Sequence, residues 1–178
     1  MKKNIYLAGK VKSDNRQGRE GGWRFELIKE LFGVSIEIGL LDCDVDFRDT
    51  HTVNINSRLN YVGPFLYGCD HGCSHSLDYA HGVLTCTDMP EKDKPNYEVL
   101  NAALAQVRLS HIVIVNFNIS PLEMYGAIAE IGYARALNKV IFGLGKPERE
   151  IWFAQGMCNM CENVDELRDN IFSYLKYY

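Results

Sequence analysis

The stretch His111-Ile112-Val113-Ile114-Val115-Asn116-Phe117 constrains the fold of this chain more than any other. It is almost continuously apolar and rich in β-branched residues, with no alternation of polar and apolar positions. A strand of that kind is covered on both faces, as strands inside parallel sheets are. Parallel neighbours cannot be joined by tight turns, so each needs a crossover, usually a helix lying on one face of the sheet. The chain supplies such helices. Tyr97 to Leu109 carries Val99, Leu100, Ala103, Leu104 and Val107 at helical spacing. After the run, Asn118 to Glu123 is a polar turn, Gly126 to Leu137 a helix, and Val140 to Gly145 the next strand. A last amphipathic helix spans Val164 to Tyr174, with Asp165 in its N-cap region. Upstream, Asn4 to Gly9 reads as a short buried strand ending at a glycine. Lys10 to Gly22 is a polar loop, and Trp23 to Phe32 a helix with Trp23, Leu27, Ile28 and Leu31 on one side. Ser35 to Leu40 is either a second strand or part of a connection.

Strand–helix alternation defines an α/β protein: a single Rossmann-like domain over residues 1–178, with an open parallel sheet of about five strands flanked by helices. Residues 42–95 break the pattern. They are rich in Asp, Asn, Gly and Pro and hold four of the five histidines. Long irregular connections inside compact domains are usually functional, so this stretch reads as a loop-rich insertion over a site, with a plain surface excursion as the alternative.

The net charge of −4 excludes a nucleic-acid polymer as the main partner, because phosphate backbones need a basic surface. A local basic cluster (Lys2, Lys3, Lys10, Lys12, Arg16, Arg19, Arg24) is either a solvated face or a small-ligand phosphate site. No apolar run reaches membrane-spanning length, and Ile5 to Ala8 is too short for a signal peptide. The expectation is a cytoplasmic protein whose six cysteines are free thiols.

In open parallel sheets, ligands sit beyond the carboxyl ends of the strands. Two segments share that edge: Gly9 with its loop, and Asn116 to Glu130. Glu130 lies early in a helix of small and apolar residues, Gly126-Ala127-Ile128-Ala129-Glu130-Ile131-Gly132-Tyr133-Ala134. A carboxylate in that setting needs a partner. It is either a helix-terminus glutamate favoured by the macrodipole or a catalytic group.

The block Tyr125 to Ala134, followed by Lys139, resembles the nucleoside 2-deoxyribosyltransferase superfamily. Ile5-Tyr6-Leu7-Ala8-Gly9-Lys10 looks like that family's first strand, and Trp23-Arg24 like a pair found after it. The resemblance implies that Glu130 is the nucleophile on the anomeric carbon of a nucleoside or nucleotide, with Tyr6 positioning its carboxylate. It implies a transferase or hydrolase outcome and a homodimer or larger homo-oligomer whose partner completes the pocket; no cofactor and no metal are expected. Gly9 and Gly126 would let backbone amides approach the sugar. Arg24 suits bidentate binding of phosphate or carboxylate.

The chain departs from the family pattern at three positions. Met124 stands where an acid usually contacts the sugar hydroxyls, with Glu123 one residue away as a substitute. Ala103 and His111 stand where further acids are usual. These departures motivate a second reading, a catalytically silent nucleotide-binding module of the same fold. Within the insertion, Asp70 and His71 are candidates for substrate contact, His71 as proton donor to the leaving base, and Phe65 and Tyr67 for stacking. The neighbouring Cys69, Cys73 and His75 lack the paired spacing of a zinc site.

Overall fold

The computed structural model describes residues 2–9, 22–36, 52–64, 96–118, 124–146 and 149–177. The candidates Asp70, His71 and Glu123 lie outside the described residues, as do Phe65, Tyr67 and most of the 42–95 segment.

The apolar run forms β4 (Ile112–Asn116), at the middle of a six-stranded sheet. The other strands are β1 (Lys3–Ala8), β2 (Val53–Asn54), β3 (Leu59–Gly63), β5 (Val140–Leu144) and β6 (Asn159–Cys161). Their spatial order is β2-β3-β1-β4-β5-β6. All pairings are parallel except β2 with β3. The sheet is therefore mixed, one antiparallel edge strand longer than a purely parallel one. The chain winds one way from β1 to β3 and the other way from β1 through β4 to β6, so the order reverses between β1 and β4.

Among the described residues five α-helices flank the sheet: α1 (Trp23–Phe32), α2 (Asn96–Leu109), α3 (Tyr125–Ala136), the four-residue α4 (Trp152–Gln155) and α5 (Val164–Tyr177). Strand alternation divides the core into two layers. Ile5, Leu7, Ile112, Ile114, Phe142 and Leu144 pack with Leu27, Ile28 and Leu31 of α1 and Leu167 and Ile171 of α5. Tyr6, Ala8, Val113, Val115 and Ile141 face the other way, onto Val107 of α2, Ala127, Ile131 and Ala134 of α3, and Ala154 of α4. Among the described residues, no helix is long and apolar enough to cross a membrane.

The structure corrects the reading of the 42–95 segment at its start. Residues 59–63 are a full sheet member beside β1, pairing Lys3 with Leu59 and Ile5 with Tyr61. The hairpin into β3 is turned by Asn56, whose Oδ1 accepts from the amides of Arg58 and Leu59 at 2.8 and 3.0 Å. The alternative strand at Ser35 to Leu40 does not form where it is described: residues 34–36 are irregular. α3 begins at Tyr125, one residue before the expected start at Gly126, with Met124 at its N-cap. At α5, Asn163 rather than Asp165 supplies the cap, accepting from Glu166 N at 2.9 Å. Asp165 instead pairs with Arg168 at 2.6 Å, and Arg168 Nε and Nη2 donate to the carbonyls of Leu31 and Glu30, fastening α5 to the end of α1.

Gly143 shows how tightly the α2/α3 layer is packed. A Cβ there would lie 2.5 Å from Met160 Sδ and 2.7 Å from Phe117 Cε2. Overfilling a packed core typically costs about 1–3 kcal/mol. Gly143→Ala is expected to lower stability by that amount in chemical unfolding; an unchanged midpoint would show that Phe117 and Met160 yield freely.

Candidate functional site

Tyr6 and Glu130, 124 positions apart in the chain, meet because β1 and α3 lie together on one layer of the sheet. Tyr6 points from β1 toward α3, and Glu130 sits in that helix's second turn. Tyr6 Oη donates to Glu130 Oε1 at 2.6 Å, within the short range of charge-assisted O–H···O⁻ bonds. Tyr6 is fully buried, whereas Glu130 retains part of its surface.

Arg24 completes the electrostatics from the other layer. It is 1% exposed, and its Nε and Nη2 donate to the carbonyls of Leu7 and Gly9 at 3.1 and 2.8 Å. Its guanidinium lies 4.2 Å from the centre of the Trp23 ring, a cation–π distance. The sequence suggested a fork open to an anion. The structure instead gives a buried cation that holds the backbone leaving β1, because the helix begins directly beneath that strand end. Its positive charge still acts on the site, stabilising the Glu130 carboxylate.

Burial pushes the Glu130 carboxyl up from 4.5 to about 7, although the Tyr6 hydrogen bond and the Arg24 charge both pull it down. Burial first, and the Glu130 charge second, hold the Tyr6 phenol protonated and therefore a donor. A fourth group, Tyr61 of β3, joins Tyr6, Glu130 and Arg24. It is fully buried, its hydroxyl donates to Pro64 O at 2.6 Å, and its pKa is raised chiefly by burial. Sequence reading missed Tyr61 because its strand lay in the segment read as an insertion. The Leu59-Asn60-Tyr61-Val62 run ending at Gly63-Pro64 was the available signal.

Of the remaining candidates, Gly9 ends β1 at a φ of 153° and offers its carbonyl to Arg24. Gly126 lies exposed in the first turn of α3, and a Cβ added there would meet nothing within 4 Å. Among the described residues, packing does not require a glycine at that position. Met124 is fully buried in the α3 layer. Ala103 lies within α2, and His111 accepts from Asn4 N through Nδ1 at 3.0 Å, at the far edge of the sheet.

The fold and site together define a doubly wound α/β protein with a tyrosine-bonded glutamate on the second turn of the helix after β4, beside the point where strand order reverses. Ligands of such sheets gather outside the carboxyl ends at that reversal. Compared with protein-family models and with curated proteins, the chain matches none.

Proposed function

We propose that this protein cleaves or transfers at the N-glycosidic bond of a nucleoside or nucleotide, with Glu130 as nucleophile and Tyr6 as the group that positions it. The observation that carries this reading is the Tyr6–Glu130 hydrogen bond of 2.6 Å, formed by a carboxyl poised near neutral pH at the edge of a doubly wound sheet. The resemblance of the Tyr125 to Ala134 block to nucleoside 2-deoxyribosyltransferases supports it. In the ionised state, Glu130 attacks the anomeric carbon while the C–N bonding pair departs with the base, which takes up a proton. The resulting glycosyl ester is then opened by water or by a second base. Tyr6 holds one carboxylate oxygen, fixing the direction of attack, and Arg24 supplies positive charge without leaving the backbone it anchors. A cytoplasmic setting and a homodimer or larger assembly belong to the same proposal.

Incubation with a panel of nucleosides and nucleotides, with and without an acceptor base, tests it. Release of free base, or its exchange, measured by chromatography is the expected result. Tight binding with no release from any member of the panel would favour the silent nucleotide-binding module, for which the buried Met124 in place of an acid speaks.

Tyr6→Phe separates positioning from packing. The ring stays buried and one hydrogen bond to a carboxylate is lost, worth about 1–2 kcal/mol. Because that bond lowers the pKa of Glu130, its removal moves the acid limb of the pH–rate profile upward while the fold persists. A profile superimposable on the wild type would leave Tyr6 a purely structural residue.

A further inference from the structure

A second cluster of functional groups stands at the opposite, amino-terminal edge of the sheet. In register, Asn4 of β1 and Lys139 before β5 flank His111 before β4: His111 N donates to Asn4 O at 2.8 Å and Val140 N to His111 O at 3.4 Å. Asn4 N in turn donates to His111 Nδ1 at 3.0 Å, so the neutral ring carries its proton on Nε2. Asn4 Nδ2 donates to Leu109 O at 3.0 Å, closing the end of α2 onto this edge. Lys139 Nζ donates to Arg108 O at 2.8 Å.

Two cations act on this ring, and a third acts on one of them. Burial, then Lys3 of β1 and Lys139 before β5, lower the pKa of His111. Burial, then Arg108 of α2, lowers that of Lys139. No carboxylate opposes either shift, and among the described residues none of these four side chains forms an ion pair. Four basic side chains from β1, α2 and the entries to β4 and β5, in a chain whose net charge is −4, thus stand at this edge with no carboxylate paired to them among the described residues. Like charges held together cost free energy unless something anionic offsets them.

We propose that the amino-terminal edge of the sheet is a phosphate-binding site, in which His111 Nε2–H and the ammonium groups of Lys3 and Lys139, backed by Arg108, hold the oxygens of inorganic phosphate or of a phosphomonoester. A tetrahedral dianion takes a neutral N–H donor and two ammonium groups at once, and these donors come from rigid strand starts rather than from a flexible loop. The site is separate from Glu130. His111 precedes Ile112, which pairs with Ile5, whereas the Gly9 carbonyl held by Arg24 lies beyond Ala8. Four residues of strand correspond to roughly 13 Å. The proposal is independent of the glycosidic reading.

The test follows the imidazole signals of His111 in the full chain by NMR, assigned with His111→Gln, at constant ionic strength and pH 7.5. Inorganic phosphate and glycerol phosphate are titrated separately, with chloride as the control. Saturable shifts with either phosphate are expected, and comparing the two titrations identifies the source: a free ion or an esterified group. Lys3→Gln and Lys139→Gln should each weaken binding about tenfold, with base release by Glu130 unchanged. Lys3 has no side-chain hydrogen bond among the described residues to lose, so its variant keeps the test meaningful if Lys139→Gln folds poorly. Shifts that track ionic strength alone, lysine variants that bind as the wild type does, or a response to duplex DNA with none to either phosphate would overturn the proposal.

Discussion

Glu130→Gln is expected to fold, to bind nucleoside, and to release almost no base. The amide keeps the shape of the carboxyl and can still accept the Tyr6 hydroxyl that lies 2.6 Å from Glu130 Oε1. It cannot form the glycosyl ester, and it removes the negative charge that stabilises positive charge developing at the anomeric carbon. Loss of a covalent nucleophile lowers turnover by on the order of 10⁴-fold or more. Binding should change little, because substrate affinity comes from contacts to base and sugar. The wild-type profile should show the same carboxylate: kcat/KM rises with pH while Glu130 ionises and levels off above about 7. Chromatographic rate measurements on both proteins from pH 5 to pH 9 check both statements. A Gln variant within tenfold of wild type would end the nucleophile assignment, whatever else the site does.

That site was legible in part, for identifiable physical reasons. Runs such as Ile112 to Val115 and Val140 to Leu144 announce themselves because both faces of a central parallel strand must be apolar. The helices α2, α3 and α5 follow from spacing, and each begins within one residue of its expected start. The sheet's other side was hidden. β3 is interrupted by Asn60 and follows an Asn-rich hairpin, and the Asn60 amide reaches Asn4 Oδ1 at 3.3 Å, a contact between strands far apart in sequence. β2 and β6 have two and three residues, too few for any period to show. At the site, Glu130 stood out because a carboxylate inside an apolar segment requires a partner, whereas Tyr6 was pointed to by the family resemblance alone. The role of Arg24 did not. Nothing local distinguishes a guanidinium aimed at solvent from one folded back onto the carbonyls of Leu7 and Gly9, since that choice depends on where α1 docks.

The second large effect concerns stability, and it tests the environment of Glu130 without assuming any activity. In the folded chain the carboxyl titrates at about 7, against an ordinary value of 4.5. Folding therefore favours the protonated form, and the native state holds more protons than the unfolded one between those two pH values. Stability from this group is fully present below pH 4.5 and is lost as the pH rises through 7. The gap between the two values corresponds to roughly 3 kcal/mol. Glu130→Gln has no such proton to lose. Near pH 4.5 the two proteins should be about equally stable, because a protonated Glu130 and a glutamine present similar neutral groups to Tyr6. By pH 8 the variant should be the more stable by up to roughly 3 kcal/mol, which at this chain length raises Tm by several degrees. Denaturant unfolding of both proteins at pH 5 and pH 8 measures the difference. Curves that stay parallel across that range would mean that solvent reaches Glu130 in the folded state and that its carboxyl titrates as an ordinary one. A widening gap, together with lost base release, would show that the chain keeps a buried carboxylate at a cost in stability because its chemistry requires one.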